Sequence, residues 1–229
     1  MVRKIGSIVA LALLASAALA QDAAPSRGQE AVAPVVNAIR EAVAAEATLP
    51  PARTAREQLE RMGTLDQAGR MQINNVPWAQ LSPEENIAAR RAITAVMDPV
   101  DEANIAELRK ILPEQGWFTT SEYGPRAVEA AFHILQHSED TEIKERVLPH
   151  LHELALLGEV RGVDFAAMFD RHATFAGRPQ RYGTQFRCVE RKLEPFPLED
   201  ETSVERLRAE LRIEPTFAEH QQMIRGRPC

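Results

Sequence analysis

A chain of 229 residues with 45% hydrophobic and 26% charged side chains has the makeup of a globular domain with room for an appendage. Its formal charge of −6 becomes −8 once Arg3 and Lys4 leave with an N-terminal leader, which excludes non-specific nucleic-acid binding, since that needs cations against phosphates. Aromatic residues at only 5% and abundant alanine favour helix over sheet.

Residues 1–20 read as a signal peptide. Arg3 and Lys4 form a positive start, 5–17 is an apolar run, and Ala18-Leu19-Ala20 is a small-residue cleavage site ahead of Gln21. The run is short for a membrane span, and no cysteine stands at the cleavage point to carry a lipid. The expectation is a bacterial-type export signal, a periplasmic or secreted protein, and no transmembrane segment after the signal is removed. In an oxidising compartment Cys188 and Cys229 can form a disulfide; the alternative is a buried Cys188 and a frayed thiol at the terminus.

Residues 21–77 read as a helical or flexible N-terminal arm. A polar leader reaches 30, and a helix over 32–47 has Pro34 in its first turn and Pro50-Pro51 at its end. A solvated helix follows over 52–62, then a loop over 63–77. Residues 78–229 read as the domain proper. Ser82-Pro83-Glu84-Glu85 starts a helix that Asp98-Pro99 stops near 97. The next carries Ile105, Leu108, Ile111 and Leu112 on one side and ends near Gly116. A connector over 117–123 leads to a helix over 125–137 with Val128, Ala131, Phe132 and Leu135 as its apolar stripe. A helix over 141–157 stops at Gly158, and Pro149 is expected to kink or split it. In the helix over 163–176, Phe165, Met168, Phe169 and His172 share a stripe; Gly177 and Pro179 close it. Alternation from Tyr182 to Cys188 predicts a strand, and 193–198, broken by Pro195 and Pro197, an edge strand. Helices over 203–211 and 216–224 finish the chain. The fold class is mainly α: an antiparallel helical bundle with a small C-terminal β-hairpin.

His133 and His137 lie four residues apart with Asp140 close behind, a spacing that can share a metal ion. Ile134, Leu135 and Gln136 stand between them, without the glutamate of the metalloprotease pattern, so a surface histidine pair is the simpler reading and no metal is assigned. His137 falls in a last helical turn, where the dipole favours a cation. Asp170 points off its helix's apolar stripe, either to accept from the backbone of 183–185 or to act as a base. Gln180, Tyr182, Thr184 and Gln185 concentrate amides and hydroxyls suited to a polar ligand, or to pinning a hairpin on a helix. No phosphate loop, dinucleotide fingerprint, nucleophile elbow or C-x-x-C is present, and no cofactor is implied.

These residues form a pattern: Gly116-Trp117, then Gln136-His137 with Asp140, then Asp170-Arg171, then Gly177, Gln180 and Tyr182-Gly183-Thr184-Gln185. In this it resembles the bacterial family called domain of unknown function 6624, over about 101–224. Phe118 stands where that family has a proline, and His133 and His172 stand where it tends to aliphatic residues. The resemblance groups Trp117, His137, Asp140, Asp170, Arg171 and the YGTQ stretch into one shared feature and implies no activity. The resulting expectation is an exported module binding an unknown polar ligand or envelope protein. The alternative is a hydrolase-like enzyme with His137 and Asp170 as acid and base beside Tyr182, Thr184 and Gln185.

Overall fold

The computed structural model describes residues 24–114, 116–190 and 192–225. The expected leader over 1–20 lies outside them, as does Cys229 and with it a Cys188–Cys229 disulfide. Among the described residues the chain is mainly helical, with one two-stranded antiparallel sheet near the C-terminus. No helix among them is long and apolar enough to cross a membrane. The chain divides into two compact units: residues up to Ile111 with Pro125–Ser138, and Leu112–Gly124 with the chain from Glu139 on.

Among the described residues the first unit contains helices and no strand. Its elements are α1 (Arg27–Ala31), α2 (Ala33–Glu46), α3 (Ala55–Ile73) and α4 (Pro83–Ile111); α5 (Thr120–Tyr123) belongs to the second unit, and α6 (Pro125–His137) returns to the first. Ser26 and Gln29 close a reciprocal capping box that starts α1 inside the leader expected to be flexible. Val32, Val35, Val36, Ile39 and Val76 pack with Ala89, Ile93 and Val100 of α4, so the expected arm supplies five of the eight buried residues of this core.

Two helices run through residues expected to stop them. Gly63 lies inside α3 because it faces Ala130 of α6: a Cβ there would stand 2.5 Å from the Ala130 Cβ. Close approach, not a turn, explains this glycine. α4 continues through Pro99 for 29 residues. A proline removes one backbone donor, yet the buried positions Ala89, Ile93, Val100, Asn104 and Leu108 keep their spacing across it. Replacing Gly63 with alanine should force α3 and α6 apart and lower the unfolding free energy by about 1–3 kcal/mol, read from urea denaturation midpoints.

The second unit holds α5, α7 (Thr141–Leu157), α8 (Gly162–Phe175), β1 (Phe186–Val189), β2 (Lys192–Pro195), α9 (Val204–Glu210) and α10 (Phe217–Ile224). The Asp140 carboxylate caps α7 by accepting from Ile143 N at 3.1 Å, and left-handed Gly158 ends it. Pro149 does not split α7. The hairpin pairs Phe186 with Pro195 and Cys188 with Leu193, and Glu190 takes a positive φ of 47° at its turn. β1 begins at Phe186 rather than Tyr182 because the backbone of 181–185 is held by side chains instead of a strand partner.

Ahead of α9, Asp200 accepts from the Thr202 N–H, the Thr202 hydroxyl at 2.7 Å and the Ser203 hydroxyl. Those bonds hold its carboxyl down from the ordinary 3.8 to about 2. Ser203 stands at the N-cap of α9, but its hydroxyl donates to Asp200 rather than capping the helix. Because the folded value is depressed, the stabilisation from this turn is complete above pH 3.8 and is lost as pH falls through about 2. An NMR titration of Asp200 should show its midpoint near 2, and Thr202→Ala with Ser203→Ala should return it toward 3.8.

Candidate functional site

The polar motif after α8 is an internal latch. Asp170 is wholly buried in the last turns of that helix. Its Oδ1 accepts from Arg181 N at 2.7 Å and Tyr182 N at 3.0 Å; its Oδ2 accepts from Thr184 N at 3.0 Å and the Thr184 hydroxyl at 2.9 Å. A carboxylate offers about four lone-pair sites, and these four donors occupy them. Burial pushes the Asp170 carboxyl above the ordinary range, opposed by the same donors. Gln180, equally buried, extends the latch. Its amide nitrogen donates to Gln185 O and Phe196 O, and its carbonyl accepts from Gln185 N at 2.8 Å.

Gly183 has a φ of 70°, and a Cβ there would lie 2.4 Å from the Phe217 ring. Both constraints require glycine in the middle of the ribbon. Tyr182 is buried edge-on to Phe165 and Phe169, and burial raises its hydroxyl. Arg208, on α9, buries its guanidinium to donate to Tyr182 O at 2.8 Å and to Pro215 O; desolvation pulls it below its usual value. Gln185 donates to the Thr184 hydroxyl oxygen. The Arg171 guanidinium sits 5.1 Å over the Phe175 ring. Trp117 is fully buried against Phe118, and its Nε1 has no partner among the described residues. Of the residues singled out for ligand binding, Trp117, Gln180 and Tyr182 are thus enclosed, and Asp140 is a helix cap.

In the first unit His137 has a different environment. Its Nδ1 lies 3.0 Å from both oxygens of Asp66 on α3. Asp66 is 1% exposed and also accepts from Gln67 Nε2 at 2.7 Å and Arg70 at 3.1 Å; Arg70 in turn pairs with Asp101 of α4 at 2.6 Å. Burial raises the Asp101 carboxyl despite Arg70, and its Oδ1 is buried without a hydrogen-bond partner among the described residues. The His133 ring stacks on His137 at 6.0 Å. Among the described residues no group of three or more His, Cys, Asp or Glu is arranged to hold a metal ion.

The sequence profile of a family of unknown function, DUF6624, matches residues 53–225. The chain belongs to that family. No curated protein matches it, and no solved structure does. The DUF6624 match begins well before residue 101, where the resemblance was expected to start, and takes in all of α3. Asp66 and Arg70 therefore lie inside the family region together with His137 and the latch.

Neither Asp66 nor Arg70 stood out in the sequence, because 63–77 reads as a loop without a clean period. The signal was there: Leu59, Met62, Asp66 and Gly69 recur at helical spacing, and all four are buried. A carboxylate on an apolar stripe requires a partner.

In the second unit the hairpin and α10 border an open groove of about 450 Å³. Its lining is mixed: Phe196, Pro197, Leu198 and Phe217 bring apolar surface, and Arg187, Glu201 and Gln221 add charge and an amide. The latch supports its walls, since Gln180 bonds Phe196 O and Gly183 admits Phe217.

If Asp170 is architecture, Asp170→Asn should cost about 2–4 kcal/mol of unfolding free energy, because an amide NH₂ would face the Thr184 donors. Asp170→Ala should cost more, leaving buried N–H groups unpaired. Guanidinium denaturation of both variants checks the order.

Proposed function

We propose that this DUF6624 protein is an exported, periplasmic or secreted bacterial module that binds a polar ligand or a protein segment in the cell envelope. The observation that carries this reading is the groove beside the hairpin, where Arg187, Glu201 and Gln221 line the same opening as Phe196, Leu198 and Phe217. Such a lining suits a ligand that carries both charges on a short apolar body, as a zwitterionic peptide does. The buried latch favours a preformed site, because walls already fixed in place lose little entropy on binding. The signal-like start over 1–20 supports export.

The alternative, hydrolase-like chemistry with His137 as acid and Asp170 as base, gains no support at Asp170. All of that carboxylate's acceptor sites are used by Arg181, Tyr182 and Thr184. Such a group has no free lone pair to take a substrate proton.

A thermal-shift panel of short zwitterionic peptides and envelope fragments tests the binding reading. A specific ligand at a hundredfold excess over its Kd should add about 2.7 kcal/mol of stability. Arg187→Ala with Gln221→Ala, both changes at the groove edge, should abolish the shift while moving the unliganded protein by no more than about 0.5 kcal/mol. No shift with any member of the panel, or a shift undiminished in the double variant, would reject the groove as the site.

A further inference from the structure

We propose that His137, oriented by Asp66, is the general base of a hydrolytic site in the first unit that acts on neutral or cationic carboxylic esters. The geometry starts at Nδ1. A carboxylate can only accept, so Nδ1, 3.0 Å from both Asp66 oxygens, carries the hydrogen. In the neutral form of the ring the lone pair is then on Nε2, and Nε2 has no hydrogen-bond partner among the described residues. The His137 side chain is 22% exposed while Asp66 is 1% exposed, so the base is open to a reactant and its support is not.

The support is itself fixed. Gln67 and Arg70 hold the remaining acceptor capacity of Asp66, and Asp101 holds Arg70. The result is an imidazole with one tautomer and one orientation, the arrangement that makes histidine an efficient proton carrier. Asp66 is a positioning residue here; Asp101 acts one step further out.

The substrate class follows from what surrounds the ring. Among the described residues no serine, threonine or cysteine bonds to His137, so the base has water to activate rather than a side-chain nucleophile. Asp66 and Asp101 outnumber Arg70 by one negative charge, and His133 is the further titratable group beside the ring. An anionic phosphoester would meet that excess charge; a neutral or cationic ester would not.

In the reaction Nε2 takes one proton from water as the water oxygen bonds to the ester carbonyl carbon and the C=O pair moves onto oxygen. Collapse of that intermediate breaks the bond to the alkoxide, which leaves with the proton from Nε2. Acid and alcohol are formed and the imidazole returns neutral. No redox partner or metal is required.

The test uses the whole purified chain with three chromogenic esters: p-nitrophenyl acetate, an anionic p-nitrophenyl hemisuccinate and a cationic p-nitrophenyl ester bearing a trimethylammonium group. Turnover of the neutral and cationic esters should exceed that of the anionic one by about tenfold. His137→Gln should lose about 10²-fold or more in kcat. Asp66→Asn should lose a similar factor in kcat at little change in KM and should displace the ascending limb of the pH–rate profile, which a merely structural role would leave in place. Asp66→Glu should recover part of the rate. Wild-type protein that turns over none of the three esters, or His137→Gln protein as fast as wild type, overturns the proposal. Where a variant does not fold, diethyl pyrocarbonate replaces it: the acyl group mapped to His137 should abolish turnover and hydroxylamine should restore it, whereas activity surviving full modification of His137 overturns the site.

Discussion

A carboxylate taken out of water must find other donors, and the C-terminal part of this protein is arranged around one that does. Asp170 would be costly to bury alone, by several kcal/mol even after relaxation. Its four donors all come from a single stretch, Arg181 to Thr184, so satisfying the charge also determines the path of the chain. From that path follow the start of β1 at Phe186, the seat of Phe217 against Gly183, and the place where Arg208 finds the Tyr182 carbonyl. Gln180 repeats the same logic with a neutral amide.

The two polar clusters use similar residues to opposite ends. At Asp170 every lone pair meets a donor and the side chain has no exposure, which makes it a fastener. At His137 the hydrogen bonds end at Nδ1, and the second ring nitrogen, on a partly exposed side chain, has no partner among the described residues. What separates scaffold from candidate chemistry is how many hydrogen-bonding positions the protein itself consumes. Residue type alone does not make that distinction, and the aspartate read either as a backbone acceptor or as a base is the one that the fold consumes.

Punctuation residues show how local signals can mislead. Gly158 and Gly177 do end helices, in left-handed or positive-φ conformations, as their positions predict. Gly63 carries the same letter for another reason, the approach of Ala130, and α3 passes through it. Pro99 and Pro149 likewise lie within continuous helices. A proline costs one backbone bond, and burial on both sides of it outweighs that loss where the apolar spacing carries through.

The mainly helical class, most helix ends and the C-terminal hairpin were legible in the sequence alone, because caps, turns and periodicity are local interactions, and the family was legible from its resemblance. The partner of His137 was not: Asp66 lies 71 positions away and meets it only when α3 and α6 pack. Nor could sequence say whether Asp170 was a base or a fastener, since that depends on how many donors the folded chain brings to two oxygens. Spacing determines which face a side chain shares; only closure over long separations decides what it touches.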